Sequence, residues 1–208
     1  MDLSALYNAV LEGDVEAAQA NSDAALAAGV APQTALNDAL LPAMQEVGRL
    51  FEAGEYFLPE MLASGLAMKS CMARLAPQLA KQGQATTKGQ VVLGTVKGDV
   101  HDIGKNLVGL MLEGAGFQVT DLGTDVPRAK FVEAAHQADI IGLSGLVSTT
   151  IPEMGDVIKA LSEANVRDRV KVMVGGAPVT QEFADQIGAD GFSKDAAAAV
   201  RKAEELMA

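Results

Sequence analysis

Val91-Val92-Leu93-Gly94-Thr95-Val96, followed after Lys97 by Gly98-Asp99-Val100-His101-Asp102-Ile103-Gly104, is the stretch that decides the fold. The first run is apolar and rich in β-branched residues along its whole length, as in a strand buried on both faces. The second is polar and bears two glycines, and helical spacing begins at Ile103 and continues to Gly114. Strand, loop and helix in that order form the first half of a βα unit. The loop holds one of only two histidines in the chain, two residues after an aspartate. Imidazole beside carboxylate is the pattern of a metal ligand whose tautomer is set by its neighbour.

Outward from this unit the alternation repeats. Strands are expected at 91–96, 118–122, 140–144, 170–174 and 191–193, and helices at 103–114, 128–138, 152–164, 180–187 and 196–207. Five βα units predict an α/β domain with a parallel, flavodoxin-like (Rossmann-type) five-stranded sheet, whose ligands sit beyond the carboxyl ends of the strands. The ends of the first, third and fourth strands and the loops after them carry the unusual residues: Gly98 to Gly104; Gly142, Ser144, Leu146, Ser148 and Thr150; and Gly175 with Gly176. They are expected to meet at one edge of the sheet.

Toward the N terminus the period changes. Leu36, Leu40, Met44, Val47, Leu50 and Phe51 form one helical stripe, and Leu58, Met61, Leu62, Gly65, Met68, Met72 and Leu75 another. Asp14 suits a helix N-cap, Gly29 and Gly54 suit helix ends, and Pro59 suits a first turn. A four-helix bundle over residues 1–80 follows, with a kink expected at Pro42 unless the third helix begins later. The polar segment 81–89 reads as a linker, and 90–208 as the α/β domain.

Composition narrows the function classes. A net charge of −11 and the absence of tryptophan disfavour nucleic-acid binding. No apolar run has the length of a membrane span, and the opening residues lack a secretory signal. The single Cys71 cannot form an internal disulfide; with these features a cytoplasmic location is expected, and Cys71 itself reads as a core residue. His136, among alanines on a helix, reads as structural. Gly98 and Gly104 are one residue too far apart for a phosphate-binding P-loop, and Asn106 stands where that motif needs a hydroxyl. No dinucleotide glycine signature follows the first strand, and the third ends in Gly142-Leu143-Ser144 rather than the aspartate of a receiver domain.

With Asp99-x-His101-x-x-Gly104, the serine-containing third loop and the paired glycines, the chain resembles the cobalamin-binding corrinoid proteins of anaerobic methyltransferase systems and the cobalamin module of methionine synthase. The resemblance implies cobalamin as cofactor, bound with its own base displaced (base-off) and His101 in its place as axial cobalt ligand (His-on). Asp99 and Thr150 would form a proton relay behind it. Gly98, Val100, Asp102, Ile103, Gly104, Gly142, Ser144, Leu146, Gly175 and Gly176 would line the cofactor site, with Ser148 and Ala196 as flanking contacts. Phe51, Leu58 and Met61 would cover the methyl face of the corrin. The function implied is that of a methyl carrier, not an enzyme alone. Its partners would be a substrate-specific methyltransferase, an acceptor methyltransferase using tetrahydrofolate or a thiol, and a reductive activator. A cobalamin-dependent sensor is the other reading of the same fold.

Overall fold

The computed structural model describes residues 2–81 and 87–208. The chain separates into a helical unit, Met1–Thr87 with Glu113–Gly116, and a sheet unit, Lys88–Leu112 with Phe117–Ala208. Most of the segment expected as a linker, 82–86, lies outside the described residues.

The helical unit begins with α1 (Ser4–Leu11) and α2 (Val15–Ala27). Asp14 caps α2 by accepting from the Ala17 amide at 2.9 Å, as its side chain and position predict. Gly13 before it has φ +72°, and a Cβ there would stand 2.4 Å from Ala63 Cβ. Only glycine permits both that backbone and that approach. A third rod runs from α3 (Pro32–Ala35) through a π-helical turn, Leu36–Leu40, into α4 (Leu41–Glu52). Pro42 lies inside this rod. Proline lacks an amide hydrogen and its ring crowds the preceding turn, and the widened π turn lies directly before it. Where the kink is expected, the rod shows a change of helical pitch. α5 (Leu58–Lys81) starts with Pro59 in its first turn, where no amide donor is needed, and Glu60 reaches back to accept from the Phe57 amide at 2.9 Å. Leu6, Val10, Leu40, Val47, Met61, Met68 and Leu75 are buried and form the core of the helical unit.

The sheet unit has five parallel strands: β1 (Gln90–Thr95), β2 (Gln118–Asp121), β3 (Ile140–Ser144), β4 (Lys171–Gly175) and β5 (Gly191–Ser193). Their order is β2-β1-β3-β4-β5, the flavodoxin-like winding. The crossover helices are α6 (Ile103–Gly114), α7 (Arg128–Ala134), α8 (Pro152–Glu163) and α9 (Gln181–Ile187), and α10 (Ala196–Met207) follows β5. On one face Val92, Ile141, Leu143, Val172 and Val174 pack with Phe131, Met154 and Leu161. On the other, Leu93 meets Gly109 of α6, where a Cβ would lie 3.3 Å away. Burial on both faces is why β1 and β4 read as unbroken apolar runs. α7 ends four residues before the expected Ala138. Ala135 and Ala138 are both buried, and the chain turns through 135–137 so that the Asp139 amide can donate to Gln90 O at 2.9 Å and start β3.

Because the winding reverses between β1 and β3, the loops that leave their carboxyl ends diverge and open a crevice. Register aligns Thr95, Ser144, Gly175 and Ser193 in one row across four strands at that edge. Four small residues in a row leave a shallow floor.

Candidate functional site

The site is built around one buried carboxylate. Asp99 is 1% exposed, although it lies in a loop. Its Oδ1 accepts from the His101 amide at 3.0 Å and stands 2.8 Å from His101 Nδ1. Its Oδ2 accepts from the Leu146 and Val147 amides at 2.7 and 3.1 Å. The Thr150 hydroxyl lies 2.9 Å from the same oxygen and 2.8 Å from Val147 O; its one proton serves one acceptor at a time. Burial alone would raise the Asp99 pKa, but the His101, Leu146 and Val147 amides and the His101 ring outweigh it and hold the carboxyl well below the ordinary carboxylate range. Asp99 is therefore an acceptor only, and His101 Nδ1 carries the hydrogen between them. That tautomer leaves Nε2 bare, on a side chain 52% exposed.

The backbone of the histidine is fixed from beneath. Thr95, fully buried at the end of β1, donates its hydroxyl to His101 O at 2.9 Å. Asp102 then starts α6, with its carbonyl accepting from the Asn106 amide at 2.8 Å and its carboxylate from Asn106 Nδ2 at 3.1 Å. Lys105, 4% exposed, anchors the same turn: its Nζ is 2.5 Å from Asp121 Oδ2 at the end of β2 and 2.8 Å from Asn106 Oδ1. A buried ammonium costs several kcal/mol without a partner, so this pair fixes where α6 begins.

The glycines make close approaches. A Cβ on Gly176 would fall 1.8 Å from Gly145 O, and one on Gly175 would lie 3.1 Å from Ser193 O. Gly142, within β3, would place a Cβ 2.4 Å from Leu93 Cδ2. Around His101, Val100 (71% exposed), Ile103 (75%), Leu146 and Val147 leave apolar side chains in the open.

The structure thus brings Asp99, His101, Leu146 and Thr150 together, with Val100, Ile103, Gly98 and Gly104 in the same loop and helix start. Gly142, Ser144, Gly175 and Gly176 lie in β3, β4 and the loop after β4. Ser148 is exposed in the loop after β3, and Ala196 is buried as the first residue of α10. Phe51, Leu58 and Met61 belong to the helical unit, where Leu58 is exposed, Phe51 partly buried and Met61 completely buried. Sequence reasoning missed Thr95, Lys105 and Ser193. A lone threonine closing an apolar strand and a lysine in a helix that packs on a sheet were the available signals.

Residues 89–201 match a B12 binding domain family, and residues 3–76 match a second family of the same description. The chain belongs to the B12-binding proteins. Among the relatives of this B12-binding protein, the dimethylamine corrinoid protein 1 of Methanosarcina acetivorans is 49% identical over 180 residues, covering 85% of this chain and 84% of that one. A solved cobalamin-binding protein from Desulfitobacterium hafniense superposes with a TM-score of 0.81 at 33% identity, covering 99% and 98% of the two chains. The methanol:cobalamin methyltransferase complex of Methanosarcina barkeri contains a chain matching with a TM-score of 0.85 at 31% identity, over 99% of this chain and 79% of that one.

The residues present fit the cofactor that defines the family. A cobalt ion already ringed by a macrocycle needs one axial donor, and His101 presents one bare nitrogen. Open apolar side chains beside it suit the face of a corrin, and the floor of small residues at the strand ends suits an extended tail.

Proposed function

We propose that this B12-binding protein is the methyl-carrying subunit of a multicomponent methyltransferase system, with the corrinoid held base-off and His101 as its lower axial ligand. The observation that carries the proposal is the pairing of a fully engaged, buried Asp99 with an exposed His101 whose Nε2 has no hydrogen-bond partner among the described residues. When bound, the cobalt supplies the centre that accepts and gives up the methyl group; everything else is the work of the chain.

Asp99 orients the imidazole and raises the basicity of Nε2, and Thr150 with the Leu146 and Val147 amides keeps Asp99 ionised. The shared hydrogen sits on His101 Nδ1: its loss would strengthen Nε2 as a donor, whereas a proton arriving at Nε2 would remove it as one. Val100, Ile103, Leu146 and Val147, exposed around His101, would exclude water from the bound group's contact with the histidine. Ser144, Gly142, Gly175 and Gly176 leave room for the displaced tail. Thr150 acts one step further from the ligand than Asp99.

A donor methyltransferase would load the carrier and an acceptor methyltransferase would unload it to tetrahydrofolate or a thiol, with a reductive activator restoring any centre that becomes oxidised. Names of relatives such as the dimethylamine corrinoid protein favour a methylamine as the first donor to try. The ligand assignment is tested by electron paramagnetic resonance of the Co(II) form: axial nitrogen coupling should change when histidine is labelled with ¹⁵N. Coupling that instead follows a labelled benzimidazole overturns it. The carrier role is tested by mixing the reconstituted chain with a methylamine methyltransferase and the methylamine. Demethylation that depends on the chain supports it, and demethylation that proceeds equally without the chain refutes it.

A further inference from the structure

Asp125 stands in the loop after β2 and is, among the described residues, one of two other than glycine with a left-handed backbone, at φ +53°. That conformation is costly for most side chains and is tolerated by aspartate and asparagine. The cost is tied to two bonds that reach across to the histidine loop. The Asp125 amide donates to Asp99 O at 2.9 Å, and Asp125 Oδ1 accepts from the Gly98 amide at 2.7 Å. Gly98 itself has φ +83°. Next in sequence, Val126 forms a bridge with Val96, its amide donating to Thr95 O at 3.0 Å. The loop after β2 is thus laid alongside the start of the histidine loop, and its left-handed aspartate grips the Gly98–Asp99 step at both ends.

We propose that Asp125 is a positioning residue for the axial ligand. Through Gly98 and Asp99 it fixes where the Asp99 carboxylate stands, and Asp99 in turn aims His101. Among the described residues, the hydrogen bonds of Asp125 go to Gly98 and Asp99 and not to the imidazole. The left-handed backbone is the mark of the role: a loop that only needed to turn could use glycine, whereas a residue that must also accept from Gly98 needs a short side chain with an oxygen. The bonding role of the proposal rests on His101 being the ligand, whereas its geometric core, the aiming of His101, does not.

The test uses two variants and two readouts. Asp125→Gly keeps the backbone freedom and deletes the oxygen; Asp125→Asn keeps both. In the apo-protein, ¹⁵N shifts of the His101 ring at alkaline pH report whether the hydrogen stays on Nδ1. With only one other histidine, His136, assignment needs a single His136→Gln control. The clamp predicts two widely separated ring shifts in the native chain and in Asp125→Asn, and partial averaging in Asp125→Gly. In the cobalamin-loaded Co(II) form, Asp125→Gly should shift the balance from His-on toward His-off by about two- to tenfold, the effect of one net hydrogen bond. Asp125→Asn should stay within about twofold of native. A Gly variant that loses thermal stability but keeps native ring shifts and native His-on fraction overturns the proposal. If the native loaded protein shows no histidine coupling, it is the ligand reading that fails; the apo ring shifts then still decide whether Asp125 aims His101.

Discussion

Asp99 has five donors within reach: two from His101, the amides of Leu146 and Val147, and the hydroxyl of Thr150. A carboxylate satisfies such a set; an amide cannot. In Asp99→Asn one oxygen becomes an NH2 group, which points at backbone N–H groups whichever way it is flipped, and an orphaned buried donor costs about 1–3 kcal/mol. The apo-protein should lose about that much stability at neutral pH. The sign with acid follows from the lowered folded-state pKa. The native carboxylate contributes stability above the unfolded carboxylate range and loses it as pH falls through the folded value. The gap between native and Asp99→Asn should therefore narrow steadily from mildly acidic pH downward, read from urea midpoints at successive pH values. A gap that stays constant into strong acid would mean that the Asp99 carboxylate is not held ionised. Asp99 and His101 were legible in the sequence because they share one short loop. Thr150, 51 positions away, was reached only through the family resemblance, and the Leu146 and Val147 amides were not legible, since backbone amides leave no trace in residue identity.

At the level of elements, periodicity located nearly all helices and strands, because each has a continuous apolar face to bury. The departures have local causes. α7 ends early where Asp139 must begin the next strand, and the rod changes helical pitch just before Pro42. α5 shows where periodicity reaches its limit. Leu58 and Met61 share the same apolar stripe, yet Met61 is completely buried whereas Leu58 is 38% exposed. Met61→Ala should cost about 2–5 kcal/mol as a cavity in the helical unit. Leu58→Ala should cost less than about 1 kcal/mol. Equal losses in denaturant melts would contradict this division. Because Leu58→Ala leaves the fold intact, it also tests the covering role that the resemblance assigns to this residue. Faster photolysis of bound methylcobalamin in the variant supports that role, and an unchanged rate removes it.

For the molecule as a whole, the parallel sheet and the helical bundle were both legible, since helical spacing alone gives way, across one polar segment, to apolar β-branched runs alternating with helical spacing. Each unit has its own buried core, and each carries its own reporter of unfolding. Cys71, the single cysteine, is completely buried in the helical unit with its Sγ 3.6 Å from Ala18 O, and burial pushes its thiol pKa up. It should resist alkylation at neutral pH until that unit opens, because only the exposed thiolate reacts. Amide exchange in β1, β3 and β4 reports the sheet unit separately. Cobalamin at about a hundredfold excess over its Kd stabilises whatever folds around it by about 2.7 kcal/mol. With His101, Asp99 and the glycine floor all in the sheet unit, the urea midpoint for strand exchange should rise on loading by more than the midpoint for Cys71 alkylation. Equal rises would show that the two units unfold as one cooperative body, and a larger rise at Cys71 would place the principal cofactor contacts in the helical unit instead.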